Sequence, residues 1–363
     1  MQTREVLDNQ RREWNEFVSG SPTGDLLQSF EWGDLKQKSG GWQPVRIAVE
    51  EDGKIIGAVS ILKRKLPRLN KCIYYAPRGP VCDFSNPEVL DALLNAVFER
   101  AKRDGAILFK IDPPVLKSST DVVGTLSKAG FKQVADAQGF GGVQPRCVMQ
   151  LDLTPSLDEL MLGCKPKWRY NIRLAEKKGV IVRSDCTKAD LKVFYDLLKE
   201  TAERDRFLIR GYSYYEHMWD ALAVPGYAKL FLTEYEGEAV SGALSFIYGD
   251  KCWYTYGASS NRHRNVMPNH LMQWRMIEWA KESGCSWYDF RGVSQQNDSE
   301  SSDHLSGLNR FKEGFGAKFV EYIGEFDLPY SSAWYWAWAV GKPKAVSLLK
   351  SLRRREVSSP AAD

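Results

Sequence analysis

Between Lys165 and Gly179 the sequence reads KPKWRYNIRLAEKKG, with six cations (Lys165, Lys167, Arg169, Arg173, Lys177, Lys178) against one acid, Glu176. Arg169, Arg173 and Lys177 recur every four residues, the spacing that puts side chains on one helical face. Trp168, Ile172 and Ala175 share another face, apolar enough to bury. Pro166 suits a first helical turn and Gly179 a C-cap. Like charges at that spacing repel one another. The row therefore fits either a bound anion or a solvated face with acidic partners from elsewhere in the fold. The formal net charge of the whole chain is only +4, so an anionic partner has to be met by a local patch.

Other chemistries find no motif. The seven cysteines (72, 82, 147, 164, 186, 252, 285) include no C-x-x-C pair, and no zinc or redox signature follows. The four histidines (217, 263, 270, 304) show no metal spacing, and there is no G-x-x-x-x-G-K-(S/T) loop. No metal site is expected. Two further stretches stand out. Asp112 closes the strand-like FKID before Pro113 and Pro114, and Lys312 lies in NRFKEGFG, a glycine-bearing loop on this reading, between Gly307 and Gly314–Gly316. Composition is ordinary for a soluble protein, 43% hydrophobic and 26% charged. The N-terminus MQTREVLDNQRREW lacks a signal-peptide apolar region, and no apolar run approaches the ~20 residues of a membrane span. A reduced, cytoplasmic protein is expected.

These residues need elements to hold them, and the chain carries a repeat. DGKIIGAVSIL at 52–62 parallels EGEAVSGALSFI at 236–247, each preceded by a strand-like stretch (RIAVEE, LFLTEY) and so read as a hairpin. KCIYYA at 71–76 matches KCWYTY at 251–256. AKRDGAILFKID at 101–112 matches AKESGCSWYDFR at 280–291, each a helix capped by glycine (Gly105, Gly284) and followed by a strand. An aromatic helical stretch precedes each hairpin, SFEWGDLK at 29–36 and SYYEHMWD at 213–220. The order helix, helix, hairpin, strand, helix, strand thus occurs twice. It resembles the N-acetyltransferase (GNAT) fold. The expected class is α/β with mixed sheets, in two tandem GNAT-like domains from an internal duplication. Residues 1–150 form the first, completed by 323–363, and 151–322 the second. Thr154 or Ser156 starts the second unit's first helix.

The K-x-R-x-N-I-R-x-A-x-K-x-G-V pattern from Lys167 to Val180 resembles the signature of the FemABX family, aminoacyl-tRNA-dependent transferases that build peptidoglycan interpeptide bridges. YAPRGPV (75–81), FKIDPP (109–114), VQPR (143–146), YDFRGV (288–293) and GLNRFKEGFGAKFVEYIGEFDLP (307–329) match as well. The basic helix leads straight into VIVRSD, so the chain is similar to the short, FemX-like members that lack a long helical arm.

The resemblance implies attack by the side-chain amine of the third stem-peptide residue on an aminoacyl-tRNA ester. The acceptor would be UDP-MurNAc-pentapeptide or lipid II. The ester is already activated, so no cofactor is expected; aminoacyl-tRNA is a co-substrate. Positioning, proton removal and stabilisation of the tetrahedral oxyanion are what such a reaction needs. Phe311–Lys312 matches the family's pair at the ester end, with Lys312 as the stabilising cation. Asp112 is the candidate proton acceptor, although a carboxylate is a weak base for an amine. Lys36, Arg210, Tyr214 and Tyr256 match the precursor-binding residues in type and context; Arg210 and Tyr214, four apart, share a face if that segment is helical. Lys167, Arg169, Arg173 and Lys177 would face tRNA phosphates, giving affinity without sequence reading.

The tail YSSAWYWAWAVGKPKAVSLLKSLRRRE allows two readings, a final helix packed on the first unit or peripheral contact with the inner membrane face. A monomer is expected. The competing functions are an acyl-CoA N-acyltransferase, which would need a phosphate-cradling Q/R-x-x-G-x-G/A loop that neither unit shows convincingly, and a non-catalytic protein binding tRNA or cell-wall precursor.

Overall fold

Asp52–Gly53 and Glu236–Gly237 hold φ of 50° and 75°, and of 52° and 78°. Positive φ at both positions is the type I′ geometry, whose twist suits a two-residue hairpin. The computed structural model describes residues 1–134, 142–294 and 303–338, and these turns sit at matching places in two similar units.

The first unit runs β1 (Gln2–Glu5), α1 (Arg11–Gly20), α2 (Phe30–Gly40), β2 (Gln43–Glu51), β3 (Lys54–Lys65), β4 (Cys72–Ala76), β5 (Val81–Cys82), α3 (Pro87–Asp104), β6 (Ala106–Ile111), α4 (Thr120–Lys128) and β7 (Lys132–Gln133). The second runs β8 (Cys147–Asp152), α5 (Leu157–Gly163), α6 (Pro166–Lys177), β9 (Ile181–Arg183), α7 (Leu191–Asp205), α8 (Tyr212–Met218), β10 (Ala228–Tyr235), β11 (Glu238–Tyr248), β12 (Lys251–Ser259), α9 (Pro268–Glu282), β13 (Trp287–Gly292), α10 (Asp303–Glu313) and β14 (Lys318–Glu321). β15 (Phe326–Pro329) and α11 (Ser332–Trp336) follow.

The sheets have corresponding orders, β1-β2-β3-β4-β6-β15-β7 and β9-β10-β11-β12-β13-β8-β14. Each hairpin shifts register just before its turn, at Val49/Glu50 and at Thr233/Glu234. Among the described residues each sheet has one parallel pair, β4–β6 and β12–β13, bridged by a helix that ends beside a positive-φ glycine, Gly105 or Gly284. The expected mixed α/β class and duplicated order are what the chain adopts. Ser156 begins α5 with a capping box to Glu159.

The units exchange strands. β8 follows the first unit yet pairs with β13 and β14; β15 follows the second yet pairs with β6 and β7. The division expected at 150/151 therefore falls inside β8. Within 323–363, β15 joins the first sheet and the short helix α11 packs near β6. The cationic stretch 342–355 of the tail lies outside the described residues.

Three apolar cores result among the described residues. One lies under α3 in the first unit and one under α9 in the second. The third joins them: Trp14, Phe30 and Leu35 of the first unit pack with Phe194, Tyr215, Phe246 and Trp253 of the second. Burial of large aromatic and aliphatic side chains at about 25 cal/mol per Å² makes such a shared core a firm joint.

Candidate active site

β12 and β13 pair only from Lys251–Trp253 against Trp287–Asp289. Beyond that they part, and a cavity of about 980 Å³ opens between Tyr254–Ser259 of β12 and Phe290–Gly292 of β13. Phe311, Lys312 and the end of α7 close its other sides.

Lys312 lies in the last turn of α10, not in the loop expected from its glycines. Gly307 sits inside the helix, at a cost of about 1 kcal/mol relative to Ala. Apolar packing outweighs that cost: Phe311 and Phe315 meet with ring centroids 5.3 Å apart and bury against the second core. The Lys312 side chain is buried, and its Nζ donates to the carbonyls of Arg291 at 3.2 Å and Gly292 at 2.5 Å. Burial pulls its pKa down to about 7; Asp289 opposes the shift and Arg291 adds to it. Two carbonyls satisfy both N–H groups of the neutral amine, so protonation adds one further donor.

The basic helix holds this residue in place. Trp168 Nε1 donates to the Phe311 carbonyl at 2.9 Å, and the Lys165 amide to the Gly314 carbonyl at 2.8 Å. His270 is wedged between Trp168 and Phe311, at 5.5 Å and 5.2 Å between ring centroids, and meets the Asn171 amide at 3.1 Å. Burial, with Lys167 nearby, lowers its pKa to about 4, so it is a neutral wedge near pH 7. A Cβ on Gly314 would stand 2.0 Å from Trp168 Cε2. Gly314→Ala is expected to cost about 1–3 kcal/mol in urea unfolding and to slow catalysis by about tenfold or more, through displacement of Lys312. Unchanged turnover would show that the Trp168 clamp does not set the Lys312 position.

On the other face of α6, Lys167, Arg173 and Lys177 are exposed. Arg169 departs from the expected row. Its guanidinium folds back on the Leu162 carbonyl at 3.0 Å and on the Cys164 carbonyl, capping the end of α5. The unpaired carbonyls of a helix end attract a cation, and α5 ends only three residues before α6 begins. Arg169 therefore serves the α5–α6 corner.

The four residues matched to precursor binding come together across the joint. Lys36 of α2 donates to the Tyr214 hydroxyl at 3.0 Å, although 178 positions separate them. Its Nζ lies 4.4 Å from the Trp32 ring centroid. Arg210 stacks 5.5 Å from the Tyr214 centroid; it precedes α8, with Gly211 as N-cap, so it reaches Tyr214 from the loop and not along a helical face. The Tyr214 and Tyr256 hydroxyls are hydrogen-bonded. Burial, then Arg210, lowers the Lys36 pKa to about 8. Neither Lys36 nor Arg210 forms an ion pair among the described residues, and Tyr256 lines the cavity.

Asp112 is placed differently from a proton acceptor. Both carboxylate oxygens are engaged, one by the Tyr75 hydroxyl at 2.7 Å and one by the Arg78 amide at 2.6 Å. It does not line the cavity. Burial raises its pKa to about 6 against the pull of Arg78. Arg78 in turn holds the Pro145 carbonyl at 2.7 Å and lies over the Tyr322 ring at 4.9 Å. The geometry makes Asp112 a support for the crossing between the units.

The sequence profile of the FemAB family matches residues 10–234 and 226–342. A lipid II:glycine glycyltransferase of Staphylococcus aureus strain MRSA252 is 34% identical, over 95% of this chain and 98% of its own. The chain belongs to the FemAB family. A crystal structure of FemX superposes with a TM-score of 0.86 at 33% identity, covering 92% of this chain and 99% of that one. A tandem GNAT protein of clavulanic acid biosynthesis shares the fold, with a TM-score of 0.52 at 10% identity over 91% of this chain and 99% of its own. The glycyltransferase alignment spans 418 positions against 363 residues here, so that relative carries residues this FemAB protein lacks; here α6 passes to β9 through only three residues.

Membership makes the chain a transferase, and Lys312 is surrounded by residues that carry no role on sequence grounds alone. Asp289 and Arg291 lie in YDFRGV, legible as a motif. Their roles depend on a break in sheet register between Asp289 and Gly292 that no local pattern announces.

Proposed function

We propose that this FemAB-family chain transfers an aminoacyl group from a charged tRNA to the side-chain amine of the third stem-peptide residue of a peptidoglycan precursor, starting the interpeptide bridge. The observation that carries the reading is the Trp168 link: the helix with exposed Lys167, Arg173 and Lys177 is the one that clamps Phe311 and Lys312. One ligand with a polyanionic stem and an acylated end matches both faces of that assembly. The cations Lys36 and Arg210, which form no ion pair among the described residues and are linked through Tyr214 to the cavity-lining Tyr256, suit the precursor diphosphate. The relatives named for glycine and lipid II make glycine the first donor to assay and a lipid-linked precursor the first acceptor. The ester supplies the activation, so no cofactor takes part on this reading, and the work is done at the cytoplasmic side of the membrane.

Mass spectrometry of lipid-linked and UDP-linked pentapeptide after incubation with mixed charged tRNAs tests it. One added aminoacyl residue is expected; unchanged precursors with every tRNA would defeat the reading. Reversal of Lys167, Arg173 and Lys177 to Glu is expected to raise KM for aminoacyl-tRNA about tenfold or more at low salt while sparing precursor binding. The wild-type log K should fall with log salt by roughly 0.7–0.9 per phosphate neutralised, and the variant should show a shallower slope. An unaltered slope would place the tRNA elsewhere.

A further inference from the structure

Arg291 is the last residue but one of β13 and has φ +63°. A long side chain in the left-handed region is strained, and such strain gathers at functional sites. The surroundings hold it there. The Arg291 amide donates to the buried Asp289 carboxylate at 2.5 Å, and its carbonyl accepts from Lys312 Nζ. Asp289 is fixed by Gln150 at 3.3 Å, and Gln150 by the Tyr322 hydroxyl at 2.7 Å. The two bonds made by Arg291 itself use its backbone, and neither uses its side chain.

Arg291 lines the cavity. The one described contact of its guanidinium is the Trp253 ring, 5.9 Å from the centroid. The guanidinium has no hydrogen bond or ion pair among the described residues. Its charge is felt by the buried Asp289 carboxylate, by Tyr256 and by Lys312. Tyr256 belongs to the cluster assigned to the precursor, and Lys312 to the end assigned to the ester. The strained residue therefore places a permanent cation where the two substrates meet.

We propose that Arg291 is a catalytic residue of this transfer, its guanidinium stabilising the oxyanion formed when the acceptor amine attacks the ester; the proposal rests on the function given above. The amine lone pair forms the C–N bond while the carbonyl π pair moves onto oxygen. The oxyanion then collapses, the C–O bond to ribose breaks, and the ribose oxygen leaves with that pair. The proton lost by the amine ends on the ribose oxygen, so charge and atoms balance without another reactant. A cation at this position gains nothing from the neutral ester and repels the acceptor ammonium. It acts on the transition state and favours the unprotonated nucleophile.

The test uses the full chain with glycyl-tRNA and lipid-linked precursor, in single-turnover reactions with separate binding measurements. Arg291→Gly removes the side chain and relieves the backbone, so its melting temperature should equal or exceed that of the wild type. Its transfer rate should fall by about 10²–10³-fold, with both dissociation constants within about threefold of wild type. Arg291→Lys should recover part of the rate. Arg291→Met should shift the acidic limb of the pH–rate profile upward, because the acceptor ammonium loses a repelling neighbour. A rate within fivefold of wild type for Arg291→Gly overturns the proposal, as does a loss seen only as weakened precursor binding. Absence of transfer by the wild-type chain would overturn the functional reading and the proposal with it. Wild-type turnover with an unimpaired variant removes the proposal alone.

Discussion

Lys312→Met is expected to lower the transfer rate by about 10²–10³-fold and to abolish a rise in stability between pH 7 and pH 10.5. The first effect follows from position: Nζ lies at the cavity wall, held by two carbonyls. The second follows from linkage. The folded-state pKa is near 7 and the ordinary value is 10.5. Between these limits the unfolded chain binds a proton that the folded chain does not. Stability therefore rises with pH through that window, by about 1.4 kcal/mol for each unit between the two pKa values, and is lowest below pH 7. Methionine removes this dependence and also strips two carbonyls of their donor, which offsets part of the gain. The pH slope is thus a clearer measure than stability at one pH. Urea unfolding at pH 6, 8 and 10, with single-turnover rates at each, gives both numbers. Full turnover of the Met variant would take Lys312 out of the chemistry; an unchanged pH slope would mean that the amine is not buried as described.

Asp112→Asn is expected to destabilise the fold by roughly 3–5 kcal/mol while the folded enzyme keeps its rate within about tenfold. Arg78 is buried, and the Asp112 carboxylate is the largest attraction supporting its charge. Asparagine leaves that cation uncompensated and places an N–H donor against one of two existing donors. The damage should then pass along contacts already in place, from Arg78 to Tyr322, Gln150 and Asp289. A general base would behave oppositely, losing about 10²–10⁴ in rate at little cost in stability. The pH dependence has its own sign. With the folded pKa near 6 and the ordinary value 3.8, the folded chain binds the extra proton between those limits. Stability from this group falls as pH rises from about 4 to 6, and the asparagine variant lacks that fall. Retained stability with a large loss of rate would return Asp112 to the role of proton acceptor.

Much of the site was legible, unevenly. Phe311 and Lys312 stood out as a motif, but their helical setting did not, because Gly307, Gly314 and Gly316 read locally as a loop. Arg169 read as one of a row of equivalent cations. Its role at the end of α5 depends on how sharply Gly163–Lys165 turns the chain, which spacing on a single helix does not encode. Lys36, Arg210, Tyr214 and Tyr256 were each recognisable by type, whereas their convergence needed two units to dock.

By itself the sequence determined the elements whose causes lie within a few residues: the Asp52–Gly53 and Glu236–Gly237 turns, the glycine ends of α3 and α9, the capping box at Ser156, and the buried face of α6 around Trp168, Ile172 and Ala175. Their repetition in order also announced two similar units. Only the tertiary structure decided that β8 joins the second sheet, that Asp112 supports a crossing, and that the chain breaks register beside Arg291, at the cavity wall. Turns and caps are settled by dihedral preference and neighbouring hydrogen bonds. Strand partners and buried charges are settled by which distant surfaces exclude water together, and that competition has no local signature.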